Sequence, residues 1–185
     1  MTLGMKRRPG QIRDYGFPVL QNTQIEQADA AAIYEPGIII AVKNGDNWSL
    51  ASYCRLDNNG CSQGEALVTN YATLAQYGVA KAATDDGKLP NLRGIAAATI
   101  ASQKYGWMYI AGYVEKADLS HTAASGEMLT ISGSTAGKLS PDGASSVLNA
   151  TLPCITAATL PWPVAVARTA IATGVGSISI LGMWG

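Results

Sequence analysis

The sequence predicts a mainly β protein: a sandwich or barrel of short antiparallel strands with one short helix and an extended N-terminal arm. Three observations carry that prediction. From residue 36 onward, short apolar and β-branched runs alternate with turn clusters rich in Gly, Asn and Asp. The apolar residues are mostly small, with Phe occurring once and Gly 20 times, which suits tight turns and close backbone approach. Residues 1–35 share neither feature and divide from a β-rich domain spanning 36–185.

The arm opens on a basic cluster, Lys6-Arg7-Arg8, followed by Pro9-Gly10, Gly16 and Pro18. Sparse, aperiodic apolar residues give it little to fold around. A short helix fits within residues 25–34, where Glu26, Ala28 and Ala30 to Ala32 favour it. Next, Ile38-Ile39-Ile40-Ala41-Val42-Lys43 reads as a strand. Asn44-Gly45 turns it, because both residues accept positive φ. The returning strand sets Trp48, Leu50 and Ser52 on one face and Ser49, Ala51 and Tyr53 on the other.

Residues 64–83 predict the helix, since Ala66, Leu67, Tyr71, Leu74 and Ala75 recur near a 3.6 period. Strands are expected at 93–100 and 107–114, joined by a turn at 102–106. In the second, Trp107, Tyr109, Ala111 and Tyr113 alternate against Met108, Ile110, Gly112 and Val114. Further strands are expected at 128–132, 155–160, 164–171 and 177–183, with a turn at Pro141-Asp142-Gly143. Residues 100–112 echo residues 171–182: each has Ile-Ala-Ser/Thr, a short turn ending in Gly, and a strand ending in Gly. The echo predicts two related hairpins in one sheet system.

Lys plus Arg and Asp plus Glu stand at 13 each, so the chain has no net charge and little self-repulsion. Only 14% of residues are charged, against about 25% in an average domain. From residue 144 to the end the one charged side chain is Arg168. Such a stretch fills a domain centre or is covered by another subunit. An aromatic at the terminus, Trp184, costs about 2–3 kcal/mol to leave in water. Trp162, Met183 and Trp184 are therefore the expected self-association residues. No apolar run reaches the ~18–20 residues of a membrane helix. The basic start lacks the apolar stretch of a secretory signal, so a cytosolic site of synthesis is expected.

Catalytic, cofactor and metal sites are not expected. The one histidine, His121, sits in a polar turn without a G-x-S-x-G elbow. Six residues lie between Cys54 and Cys61, with no second Cys/His pair at zinc spacing, and Cys154 makes the cysteine count odd. Reduced, partly buried thiols are expected. Asp85-Asp86 lacks the later ligands of a calcium loop. Gly133-Ser134-Thr135-Ala136-Gly137 before Lys138 reads as a strand-joining turn rather than an anion nest. The arm residues Lys6, Arg7, Arg8, Arg13, Tyr15 and Phe17 suit docking on a protein partner better than on nucleic acid, because the body carries no basic excess.

Residues Arg93-Gly94-Ile95-Ala96-Ala97-Ala98-Thr99-Ile100, a turn, and then Gly106-Trp107-Met108-Tyr109-Ile110-Ala111-Gly112-Tyr113-Val114 resemble tailed-bacteriophage head decoration, or cement, proteins. In these a G-x-A strand precedes a glycine turn and a W-x-x-x-x-G strand. Ser125-Gly126-Glu127-Met128-Leu129 and Gly137-Lys138-Leu139 fit the following strand and turn. The resemblance covers about residues 90–140. It implies a virion structural protein on the outer capsid surface, a homo-oligomer favouring trimers, the major capsid protein as partner, and no cofactor or catalytic residue. Two other readings remain open: another phage structural component (tail, neck or fibre base), or a carbohydrate- or host-binding module using Trp48, Trp107 and Tyr109.

Overall fold

A computed structural model of the chain describes residues 19–69, 78–83, 92–141 and 164–181. They form β1 (Val19–Gln21), α1 (Asn22–Ile25), β2 (Ile39–Asn44), β3 (Asn47–Leu56), β4 (Ala66–Thr69), β5 (Gly78–Lys81), β6 (Leu92–Ala96), β7 (Tyr105–Leu119), β8 (Met128–Ile131), β9 (Leu139–Ser140), β10 (Ala165–Ala167) and β11 (Gly174–Ile180). The fold is mainly β, as expected. The hairpin forms where Asn44-Gly45 predicts it, with Asn44 opposite Asn47 and Gly45 at φ +58° in the first of two loop positions. The two faces of β3 also follow the expected alternation, since Ala51 and Tyr53 join one apolar cluster and Cys54 and Leu56 join another.

The strand pairings close into two rings. In the first, β3 pairs with β5, β5 with β4, β4 with β6, β6 with β7, and β7 back with β3. In the second, β7 pairs with β9, β9 with β8, β8 with β10, β10 with β11, and β11 back with β7. Each ring has one parallel pairing, β3 with β5 and β7 with β9; the other four are antiparallel. A ring has no edge strand, so its backbone groups are satisfied internally. The two five-stranded barrels share β7.

The barrels are copies in register. Thr69 faces Val79 as Ile131 faces Leu139, and Ala66 faces Ile95 as Met128 faces Val166. Ala96 faces Met108 as Ala167 faces Ile178, and Cys54 faces Gly106 as Ala117 faces Gly176. Even the isolated bridges correspond, Cys61 with Ile100 and Ala123 with Ile171. Gly64-Glu65-Ala66-Leu67 matches Gly126-Glu127-Met128-Leu129. In both, the glutamate accepts from the backbone N–H three residues earlier at 2.7 Å. The echo of residues 100–112 in 171–182 is thus the end of a longer repeat. At both places a glycine is required: a Cβ on Gly106 would meet Ile100 at 2.6 Å, and one on Gly176 would meet Ile171 at 2.5 Å.

Cys54, Leu56, Leu67, Val79, Ile100 and Met108 fill the first barrel. Their counterparts Ala117, Leu119, Leu129, Leu139, Ile171 and Ile178 are buried in the second. Strand β7 serves both because its first half pairs in one ring and its second half in the other, with opposite faces turned inward; it carries two bulges on the way. Leu50 faces Ala111 while Ala51 faces Tyr109, which leaves Ile110 as an extra residue. Gly176 faces Ala117 while Ile178 faces Val114, which sets Glu115 and Lys116 against Ser177 alone. The first bulge overturns the expected alternation: Trp107 and Tyr109 share a face, but Ala111 and Tyr113 lie on the opposite one.

Over the outer wall of the first barrel lies a strap, residues 22–34. Ile25 is fully buried there. Tyr34 packs on Tyr53 and Trp107 at ring-centroid distances of 5.3 and 5.2 Å. The Tyr53 hydroxyl donates to Asp29 at 2.8 Å, the Tyr109 hydroxyl donates to Asn22, and Lys116 pairs with Glu26 at 3.1 Å. Part of the segment read as an arm, residues 19–35, is therefore seated on its own chain.

The helix predicted over 64–83 is corrected at both described ends. Residues 66–69 and 78–81 are strands β4 and β5, and the one helix among the described residues is α1. Ala66, Leu67 and Val68 are all buried because β4 has apolar neighbours on both faces. A run buried on both faces shows no period of 2. The short helix read within 25–34 is displaced to Asn22–Ile25, and the strand read at 155–160 lies outside the described residues.

Candidate interaction face

The predicted docking residues Lys6, Arg7, Arg8, Arg13, Tyr15 and Phe17, and the predicted self-association residues Trp162, Met183 and Trp184, lie outside the described residues. Of the three aromatics read as a binding platform, only Trp48 is open, at 53% exposure. Trp107 and Tyr109 are 2% and 6% exposed, which corrects that reading. The strap covers both.

The residues screened for chemistry take structural places. The His121 Nδ1 lies 3.0 Å from the hydroxyl of its neighbour Ser120, and the ring is exposed. Cys54 and Cys61 are free thiols inside the first barrel. Burial pushes both up, Cys61 to about 11, which keeps them protonated and poorly nucleophilic at neutral pH. The segment from Gly133 to Lys138 joins β8 to β9. Its Ser134 and Thr135 N–H groups donate to the Ser132 hydroxyl at 3.2 and 3.1 Å, and Lys138 pairs with Asp118 at 3.2 Å. Among the described residues there is no group of three or more metal-ligating side chains. No described helix is long and apolar enough to cross a membrane.

What the molecule does present is a broad sheet face. Strands β2, β3, β7, β11, β10 and β8 pair antiparallel in that order. Lys43 stands opposite Trp48. Ser49 stands opposite Gly112, and its hydroxyl donates to the Tyr113 carbonyl, so Trp48 adjoins Tyr113. Tyr113 faces Ser179, Ser179 faces Val166, and Val166 faces Met128. Laterally paired residues share a face, so these six form one row. At about 4.8 Å per strand the row is about 24 Å long. Gly112, at φ +85°, sits where β7 passes close to β3: a Cβ there would meet the Trp48 carbonyl at 2.5 Å.

Six large apolar side chains are well exposed among the described residues: Ile33, Ile39, Trp48, Met128, Val175 and Leu181. All but Ile33 fall on this face by strand alternation. The cations on it are already engaged. The Lys43 ammonium lies 5.7 Å from the Trp48 ring centroid, and the Arg168 guanidinium 6.0 Å from that of Tyr113. Between them lie the hydroxyls of Ser177 and Ser179. Chemically, the face offers apolar area and neutral hydroxyls with no unshielded charge row. No sequence motif marks it, because its members come from six strands; the one available signal is the exposed-looking alternation of Val175, Ser177 and Ser179.

No family model matches the chain, and no curated protein matches it.

Proposed function

We propose that this protein is a structural component of a phage virion, a decoration protein that binds the outer capsid surface, associates with copies of itself and stabilises the shell. One observation carries the reading: of the six large apolar side chains well exposed among the described residues, five share one face of a body made of two fused barrels. Monomers rarely gather their exposed apolar side chains in one place, and such a gathering marks a protein-binding surface. The sequence resemblance over about residues 90–140 supplies the particular assembly, with the major capsid protein as partner. The mechanism is passive. Each copy buries apolar and small residues against the shell, and many copies add small contributions. Where the arm residues Lys6, Arg7, Arg8, Arg13, Tyr15 and Phe17 engage a neighbouring subunit, two-point anchoring raises the effective affinity.

The test is to mix the purified chain with undecorated phage shells and locate it by electron microscopy. Density at regular positions on the outer surface is expected. Binding only at tails or necks, or no binding, overturns the reading. Deletion of residues 1–18, which spares β1, is expected to weaken shell binding; full saturation at unchanged affinity rejects the arm's part in it.

A further inference from the structure

We infer that the row formed by Lys43, Trp48, Tyr113, Ser179, Val166 and Met128 is where a second copy of this chain docks, face to face, about a two-fold axis. The inference deepens the assembly reading by naming the surface on which copies meet, and its failure is separable from failure of shell binding.

The repeat supplies the first argument. In the first barrel, the outer wall built from Ala66, Ile95 and Tyr109 is fully covered, and residues 22–34 of the chain lie on that barrel. The matching wall of the second barrel, Met128, Val166 and Ser179, has no such cover among the described residues. Met128 is 51% and the neighbouring Val175 63% exposed. The same wall geometry that accepts protein in one barrel is left uncovered by the described residues in the other.

Charge selects the occupant. The chain has 13 basic and 13 acidic residues, so two copies meet without net repulsion. Lys43 and Arg168 are held over rings of their own chain, and Glu115 accepts from Asn44 at 2.8 Å. A polyanion or an acidic peptide finds no free cation row here. A surface mostly of apolar and hydroxyl groups with few charges fits better, and this face itself has that composition. A two-fold contact uses one patch twice, and two sheet faces pack about 10 Å apart at a shallow angle.

Area sets the strength. The row is about 24 Å long, and β11 runs about 20 Å from Val175 to Leu181, a plane of roughly 480 Å² per copy before side-chain relief. Stable interfaces bury about 800 Å² per partner. The face falls short of that, so it supports a weak, reversible dimer rather than a permanent one, which a crowded lattice of copies would saturate.

The test is sedimentation velocity of the full-length chain from about 1 µM to about 1 mM. Expected is a reversible monomer–dimer equilibrium. Val175→Glu, and separately Ser179→Arg in the middle of the face, should each raise Kd at least about tenfold. Ile33→Glu, also more than half exposed but on the strap, should leave it unchanged. Circular dichroism confirms that each variant is folded; should Val175→Glu unfold, Ser179→Arg decides. A monomer at every concentration, an oligomer of three copies, or a dimer indifferent to the face variants overturns the inference. A dimer that ignores phage shells would retain it and remove the decoration reading, and a monomer that still coats shells would do the reverse.

Discussion

The two barrels have the same strand pairing and the same interior, yet their outer walls have opposite chemistry. Trp107, Tyr109, Tyr105 and Ala97 on the first wall correspond in register to Ser177, Ser179, Val175 and Arg168 on the second. Inside, leucine meets leucine: Leu56 with Leu119, Leu67 with Leu129. An interior position answers only to the ring that encloses it, so the fold dictates its residue type. An outer position answers to whatever lies upon it. The first wall carries aromatics because the strap removes them from water, at roughly 2–3 kcal/mol of stabilisation each. The second lacks a strap among the described residues and carries serines. The comparison teaches that the interiors record the fold and the walls record the partners.

The sharpest way to break this contrast is to truncate matched wall positions. Trp107→Ala should cost about 3–5 kcal/mol, because it empties a site enclosed by Tyr34 and Tyr53. Ser177→Ala, its counterpart, should stay within about 0.5 kcal/mol. Urea unfolding of both variants checks this, and comparable losses would mean that the walls are not different environments.

Matched interior truncations should behave alike. Leu67→Ala and Leu129→Ala each remove a fully buried side chain at the same register position, and each should cost about 2–5 kcal/mol. The same denaturation series applies. A near-zero cost at either position would show that one ring is not packed as a barrel.

A pH slope is the smaller effect per thiol and per pH unit, and among the described residues the thiols behind it belong to the first barrel. The second has Ala117 and Ala123 where the first has Cys54 and Cys61. Burial raises Cys61 from 9.0 to about 11 and raises Cys54 as well. The unfolded chain therefore loses these protons first as pH rises. The sign is negative: the folded state holds more protons, so stability is intact below the ordinary thiol range and falls above it. Each thiol should contribute a loss of about 1.4 kcal/mol per pH unit between about pH 9 and 11. Replacing both by alanine should remove the thiols' share of that slope and leave the part above about pH 10 that buried Tyr53 and Tyr109 contribute, read as melting temperature against pH; an unchanged slope would place the thiols in water.

The sequence shows some of this architecture well. Asn44-Gly45 marks the hairpin because turn chemistry is local. The echo between residues 100–112 and 171–182 is visible because the glycines at 106 and 176 are fixed by a steric demand from Ile100 and Ile171. The rest of the repeat is hidden, since Cys54 against Ala117 and Val79 against Leu139 preserve apolar character but not identity. Residues 66–69 mislead because a strand buried on both faces has no alternation, and Ala and Leu then look helical. Bulges at Ile110 and at Glu115-Lys116 scramble the period of β7, so the faces of Ala111 and Tyr113 cannot be read from spacing. The candidate face is the least legible part, assembled by pairing across six strands far apart in the chain.

Strand β7 runs unbroken through both rings, its first half pairing with β3 and its second half with β11, so one continuous backbone joins the two barrels. Pulling β7 away from β3 strips a wall from the first barrel, and releasing it from β11 does the same to the second. Heat delivered to either unit is therefore felt by both, and the pair should melt in one cooperative step with a single heat-absorption peak. A molecule joined in this way does not loosen piecemeal under load; it holds its shape until the common strand gives way.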